Sequence, residues 1–141
     1  MTDVLPQRVA SVTKELNLTP QEQFLYQTHL NNLWGSGGVD HSDVPGGARS
    51  SLYQSVQEHE GKYYNIPTVW NGKIEAESWT KPETGEVFDV PNKTALANVE
   101  ATGWDKFPSY ASGKEADTRY DEMHKYMEQD TDAYRNMAGN W

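Results

Sequence analysis

The dipeptide Asn71-Gly72 constrains this chain more than any other feature. Asn-Gly between apolar runs favours a two-residue hairpin turn, because both central positions must be left-handed and these two residues tolerate that best. Before it, residues 62–70 carry Tyr63, Tyr64, Ile66, Val69 and Trp70. After it, residues 73–79 alternate Ile74, Ala76 and then Ser78, with Glu75 and Glu77 on the opposite face. Residues 52–59 form a third β run, joined to the next by a turn at Glu60-Gly61. A three-stranded antiparallel meander follows from this turn chemistry. Pro67 has no ladder donor and is expected at a bulge or an unpaired side. Residues 80–85 read as another turn, and 86–90 as a short strand.

Helices flank this β region. Pro6 suits a first helical turn, and Leu5, Val9, Val12 and Leu16 fall on one stripe, which predicts a helix over 6–16. Thr19-Pro20-Gln21-Glu22 is a capping box opening a second helix that ends at Trp34, before Gly35. Tyr26, Leu30, Leu33 and Trp34 share one face of it, broadened by Phe24 and Leu25. Residues 35–50 hold five glycines and a proline and read as a linker. Asn92 caps a helix that bears Leu96 and Val99 and closes at Gly103, and residues 104–110 form an aromatic loop. Ser112-Gly113-Lys114-Glu115 is a second capping box. The last helix carries Ala116, Tyr120, Met123 and Met127 on its stripe, and the pattern resumes at Tyr134 and Met137 beyond Asp130-Thr131. The expected fold is α+β: a small antiparallel β-meander packed with two C-terminal helices. An N-terminal helical arm (1–34) and the Gly-rich linker (35–50) precede this α+β module (51–130), and a C-terminal tail (131–141) follows it.

A chain of 141 residues fits one domain with terminal extensions. Only 35% of it is hydrophobic, but 5 Trp, 8 Tyr and 3 Phe supply large burial per side chain. The mean hydropathy of -0.86 argues that part of the chain cannot bury itself alone and is either a tail or a segment that orders against a partner. With 12 basic and 21 acidic residues the net charge is -9, and there is no basic cluster to hold nucleic acid phosphates or an anionic membrane. The acids are scattered, which suits solubility better than imitation of DNA. Without cysteine there is no disulfide, thiolate metal site or thiol nucleophile. Residues 1–10 show no secretory pattern, and no apolar stretch approaches the roughly 18 residues of a membrane span. The expected setting is a cytoplasm, or a particle assembled there.

No active site can be assembled from these residues, and no cofactor is expected. Asp40, His41 and Asp43 are cation-ligand types, but no calcium-loop pattern surrounds them. Glu58, Glu60, Glu75 and Glu77 lie on adjacent expected strands, where an opposed carboxylate pair is conceivable but solvated acids are ordinary. Ser50, Ser51 and Ser55 lack a nucleophile-elbow context. His59 and His124 have no further metal ligand that can be named. The aromatics are the stronger signal. Most belong in the core, whereas Trp34 and Trp141, near the ends, are candidates for anchoring a partner together with Tyr26, Leu30 and Leu33.

The run Gly61-Lys62-Tyr63-Tyr64-Asn65-Ile66-Pro67-Thr68-Val69-Trp70-Asn71-Gly72-Lys73 resembles a module found in tailed-bacteriophage proteins. The likeness continues through the helix ending at Gly103, then Lys106-Phe107-Pro108-Ser109-Tyr110, Glu115-Ala116 and Arg119-Tyr120, and so covers residues 50–128. Leu18-Thr19-Pro20-Gln21-Glu22 and Gly37-Gly38-Val39-Asp40 are similar to segments from the same setting. Such modules accompany virion or internal ejection-type proteins, some with peptidoglycan-cleaving domains elsewhere. The resemblance therefore implies a non-enzymatic structural component of a phage particle (minor capsid, neck, tail or ejection-associated). It would be made in the host cytoplasm and would bind a larger virion protein in a symmetric multi-copy assembly. Two other readings stay open: an acidic soluble inhibitor of a host defence enzyme, and an accessory peptidoglycan hydrolase.

Overall fold

A computed structural model describes residues 4–35, 37–41 and 48–138. Trp141 and Asp43 lie outside the described residues. The chain runs α1 (Val4–Leu16), α2 (Pro20–Trp34), β1 (Val39–His41), β2 (Ala48–Ser50), β3 (Ser55–His59), β4 (Lys62–Ile66), β5 (Val69–Trp70), β6 (Lys73–Ile74), β7 (Ala76–Thr80) and β8 (Val87–Pro91). It continues with α3 (Lys93–Thr102), a 3₁₀ turn (Trp104–Lys106), β9 (Ser109–Tyr110) and α4 (Gly113–Ala138). The fold is α+β, with helices packed on small antiparallel sheets.

The turns are the ones that the sequence specifies. Glu60 and Gly61 have φ of 51° and 80°, and Asn71 and Gly72 have 53° and 77°, so both hairpins use left-handed pairs. The expected strand over 62–70 is divided at Pro67. Past this donorless residue, the N–H groups of Thr68 and Val69 both turn to the carbonyl of Leu52, at 2.8 and 3.1 Å. Strand β4 therefore takes β3 on one side and β9 on the other, while β5–β6 and β7–β8 are separate two-stranded ladders. The caps form as well: Thr19 Oγ1 accepts from Glu22 N at 3.2 Å, and Asn92 Oδ1 from Ala95 N at 2.9 Å.

The N-terminal helices depart from expectation. They are not an arm held away from the body. Val12, Leu18, Leu25, Tyr26 and Leu30 join Leu52, Ile66, Val99, Phe107, Met123 and Met127 in one buried cluster. Arginines stitch the helices down: Arg119 Nη2 donates to Leu16 O at 2.6 Å, and Arg8 Nη2 donates to Tyr126 O at 3.1 Å. The segment expected to be a Gly-rich linker also has structure, because β1 and β2 pair antiparallel, Val39 opposite Ser50. Arg49 anchors that pairing by donating to the carbonyls of Asn32, Leu33 and Gly35 at the C-terminus of α2, groups a helix end leaves unpaired. Helix α4 runs unbroken through Asp130-Thr131 into the stretch expected to be a tail, since Tyr134 packs against Trp34 with ring centroids 5.2 Å apart.

Candidate functional site

Four of the residues expected to bind a partner are spent inside the molecule, and the fifth, Trp141, lies outside the described residues. Tyr26, Leu30 and Leu33 are buried in the core, and Trp34 is half-buried against it. What the sequence made look insufficiently apolar is completed by buried polar pairs. Glu22 and His29, both on α2, are each about as buried as the leucines beside them.

Each of these has a partner nearly a hundred or more residues away. Glu22 takes Arg119 Nε at 2.7 Å and Nη2 at 3.1 Å, and the Tyr110 hydroxyl at 2.6 Å. Burial pushes its carboxyl up, but the hydrogen bonds from Arg119, Tyr110 and the Thr19 N–H together hold it below the ordinary carboxylate value. Burial makes Tyr110 harder to ionise, and its hydrogen bond to Glu22 adds to this while Arg119 opposes it. The second network gathers around Asp130 on α4. Arg8 Nε lies 2.7 Å from Oδ1, the Tyr26 hydroxyl donates to Oδ2, and His29 Nε2 lies 3.2 Å from the same oxygen. The other ring nitrogen, Nδ1, is 2.5 Å from Ser51 Oγ. Burial lowers the His29 pKa while Asp130 opposes that, and the net shift is downward. With Asp130 as a carboxylate, Nε2 carries the proton and Nδ1 accepts from the serine hydroxyl.

This second network opens onto a cavity of about 430 Å³ between α2, α4 and the chain after β2. Ser51, His29, Arg49, Tyr120, His124 and Met127 are among its walls. Two residues beyond Ser51, Tyr53 sits at φ 42°, a left-handed backbone that a non-glycine residue adopts at a cost of about 1–2 kcal/mol. Its carbonyl accepts from Thr68 Oγ1 and its hydroxyl donates to Asp89, so the bend is held at both ends.

The other sequence candidates stay apart. Glu58 lies on β3 opposite Tyr63, and Glu77 lies on β7 opposite Val90, in a different sheet. Glu75 Oε2 accepts from Asn92 Nδ2 at 3.4 Å. His59 stacks on Trp104 with centroids 4.1 Å apart, while His124 sits 3.3 Å from Glu128 on α4. Asp40 and His41 pair through their backbones with Arg49 and Ala48. Among the described residues no group of three or more His, Asp or Glu is placed to hold a metal, and no helix is long and apolar enough to cross a membrane.

Among the described residues, three of the five exposed large hydrophobic side chains lie on the β7–β8 ribbon, which sequence reasoning assigned to the body. Trp79, Val87 and Phe88 are 47%, 65% and 43% exposed. Trp79 and Phe88 are register partners, with centroids 6.2 Å apart. A turn over 80–85 sets Trp79 opposite Glu86; the observed loop spans 81–86 instead, which sets Thr80 opposite Val87 and Trp79 opposite Phe88. Nothing in the sequence pairs His29 or Ser51 with Asp130. No family model, curated protein or solved structure matches the chain.

Proposed function

We propose that this chain is a structural component of a tailed-phage particle that grips a larger virion protein through the β7–β8 ribbon. Docking is its task in the particle, and that task requires no catalytic step. The phage-like run around residues 61–73 supports the setting, and the exposed ribbon carries the reading. Aromatic side chains held in a fixed ladder lose little conformational freedom on docking, which is why such residues dominate interface energies. Around Trp79 and Phe88 the ribbon bears Glu77, Glu83, Glu86 and Asp89 against the single base Lys81. That charge favours a partner with an apolar groove rimmed by Lys or Arg. It disfavours a second copy of this chain, whose net charge is -9.

Mass spectrometry of purified particles tests the reading. The wild-type chain should be present in a fixed ratio to a larger virion protein. A W79A/F88A double variant should keep its circular dichroism spectrum and be depleted from particles at least tenfold. Particles that lack the wild-type chain would remove the proposal and favour the soluble-inhibitor alternative. Undiminished uptake of the folded variant would rule out the ribbon as the grip.

A further inference from the structure

The Asp130 network contains more than a staple needs. Arg8 and Tyr26 already satisfy the carboxylate, and His29 extends the chain of contacts outward to a hydroxyl on a cavity wall. From the structure we propose that Ser51 is an activated nucleophile, with His29 as its base and Asp130 as the positioning residue, acting on small esters that enter the cavity.

The roles follow from geometry. A nucleophile, a base and a group that orients the base must lie in sequence within hydrogen-bond reach. Here the separations are 2.5 Å from Ser51 Oγ to His29 Nδ1 and 3.2 Å from His29 Nε2 to Asp130 Oδ2. Either imidazole nitrogen can serve as base, provided the other is fixed by its hydrogen bond. Burial favours the neutral ring, which is the form that can accept a proton. The strained backbone at Tyr53, just past the nucleophile, matches the tendency of strain to collect at reactive sites. Tyr120 and Met127 give the cavity apolar walls for an acyl group, and Arg49 brings positive charge to the same space.

The step balances without any outside reagent. Ser51 Oγ bonds to the ester carbonyl carbon as its proton passes to His29 Nδ1. The tetrahedral adduct then expels the alcohol, which takes that proton, and leaves an acyl-serine. Water repeats the sequence and releases the acid.

A fluorophosphonate provides the probe. Oγ bonds to phosphorus, fluoride leaves, and the serine proton goes to His29. The full chain is treated with the probe, and the adducts are mapped by peptide mass spectrometry. Ser51 should label at least about a hundredfold faster than Ser50 or Ser55 in the same chain, the scale of positioned base catalysis. Urea-unfolded chain should lose that selectivity, and the S51A variant should lose the adduct. Equal labelling of the three serines in the folded chain, or no adduct on Ser51, would overturn the proposal. Neither result depends on particle uptake, so the docking proposal stands or falls separately.

Discussion

Within the helical layer, Glu22 and Asp130 sit inside the molecule, each with an arginine and a tyrosine on its carboxylate, while Leu25, Leu30 and Leu33 are sealed beside them. On the β7–β8 ribbon the arrangement is reversed. Its glutamates face water, and Trp79, Val87 and Phe88 face water with them. The helical layer therefore depends on each buried charge keeping its partner. The ribbon depends on its ladder and turn, and its aromatics remain available. The pairings that hold the fold and the surface proposed for docking are located in different parts of one small chain.

Removing one member of a buried pair should give the largest effect. R119A strands the Glu22 carboxylate in the core, and leaving a buried charge without its partner costs about 3–5 kcal/mol. That is a large share of the roughly 5–15 kcal/mol that holds a domain together. Urea denaturation should show the midpoint falling accordingly, or the variant failing to fold. The double variant E22M/R119M removes both charges and should recover much of the loss. If R119A cost less than about 1 kcal/mol, the helical layer would be no more dependent on its ion pairs than the ribbon is.

A smaller effect should appear on acidification, in two stages. The folded-state pKa of His29 lies below its ordinary value of 6.5, so its contribution is present above that pH and declines below it, as the unfolded chain takes up the proton first. The groups facing this ring are Asp130, Arg8, Tyr26 and Ser51, with His124 further away. The pKa of Glu22 lies below 4.5, so its share is lost only in more acid solution. Each unit of displacement is worth about 1.4 kcal/mol. Thermal melts between about pH 8 and pH 3 should show both stages. H29Q should remove the upper stage and E22Q the lower. A single loss confined below pH 4 would mean that His29 is not held neutral.

These networks also explain what could be read from the sequence. Local chemistry was legible: the Thr19 and Asn92 caps and the left-handed turns at Glu60-Gly61 and Asn71-Gly72 each depend on neighbours a few residues away. The placement of α1 and α2 was not, because it depends on Glu22 meeting Arg119 and on His29 meeting Asp130, across 97 and 101 residues. Read singly, a glutamate and a histidine on a helix face look like a surface. They become core only once their partners are known. The candidate relay was hidden for the same reason, since Ser51 has nothing local to mark it.

The finest comparison uses two glycines in like conformations. Gly61 has φ 80° in the β3–β4 turn, and Gly85 has φ 76° where the β7–β8 ribbon turns. A Cβ at either would meet nothing within 4 Å, so substitution by alanine imposes only the backbone penalty, about 1 kcal/mol at each site. The consequences should differ, because the turns belong to different parts of the molecule. Strand β4 carries Tyr64 and Ile66 into the core, so the folded state cannot avoid the strain at Gly61, and G61A should lower global stability by about that amount. The ribbon tip can fray without opening the core. G85A should therefore leave the urea midpoint within about 0.5 kcal/mol of wild type, while amide exchange along β7 and β8 accelerates by about fivefold. Equal global losses in the two variants would show that the ribbon folds as one unit with the helical layer.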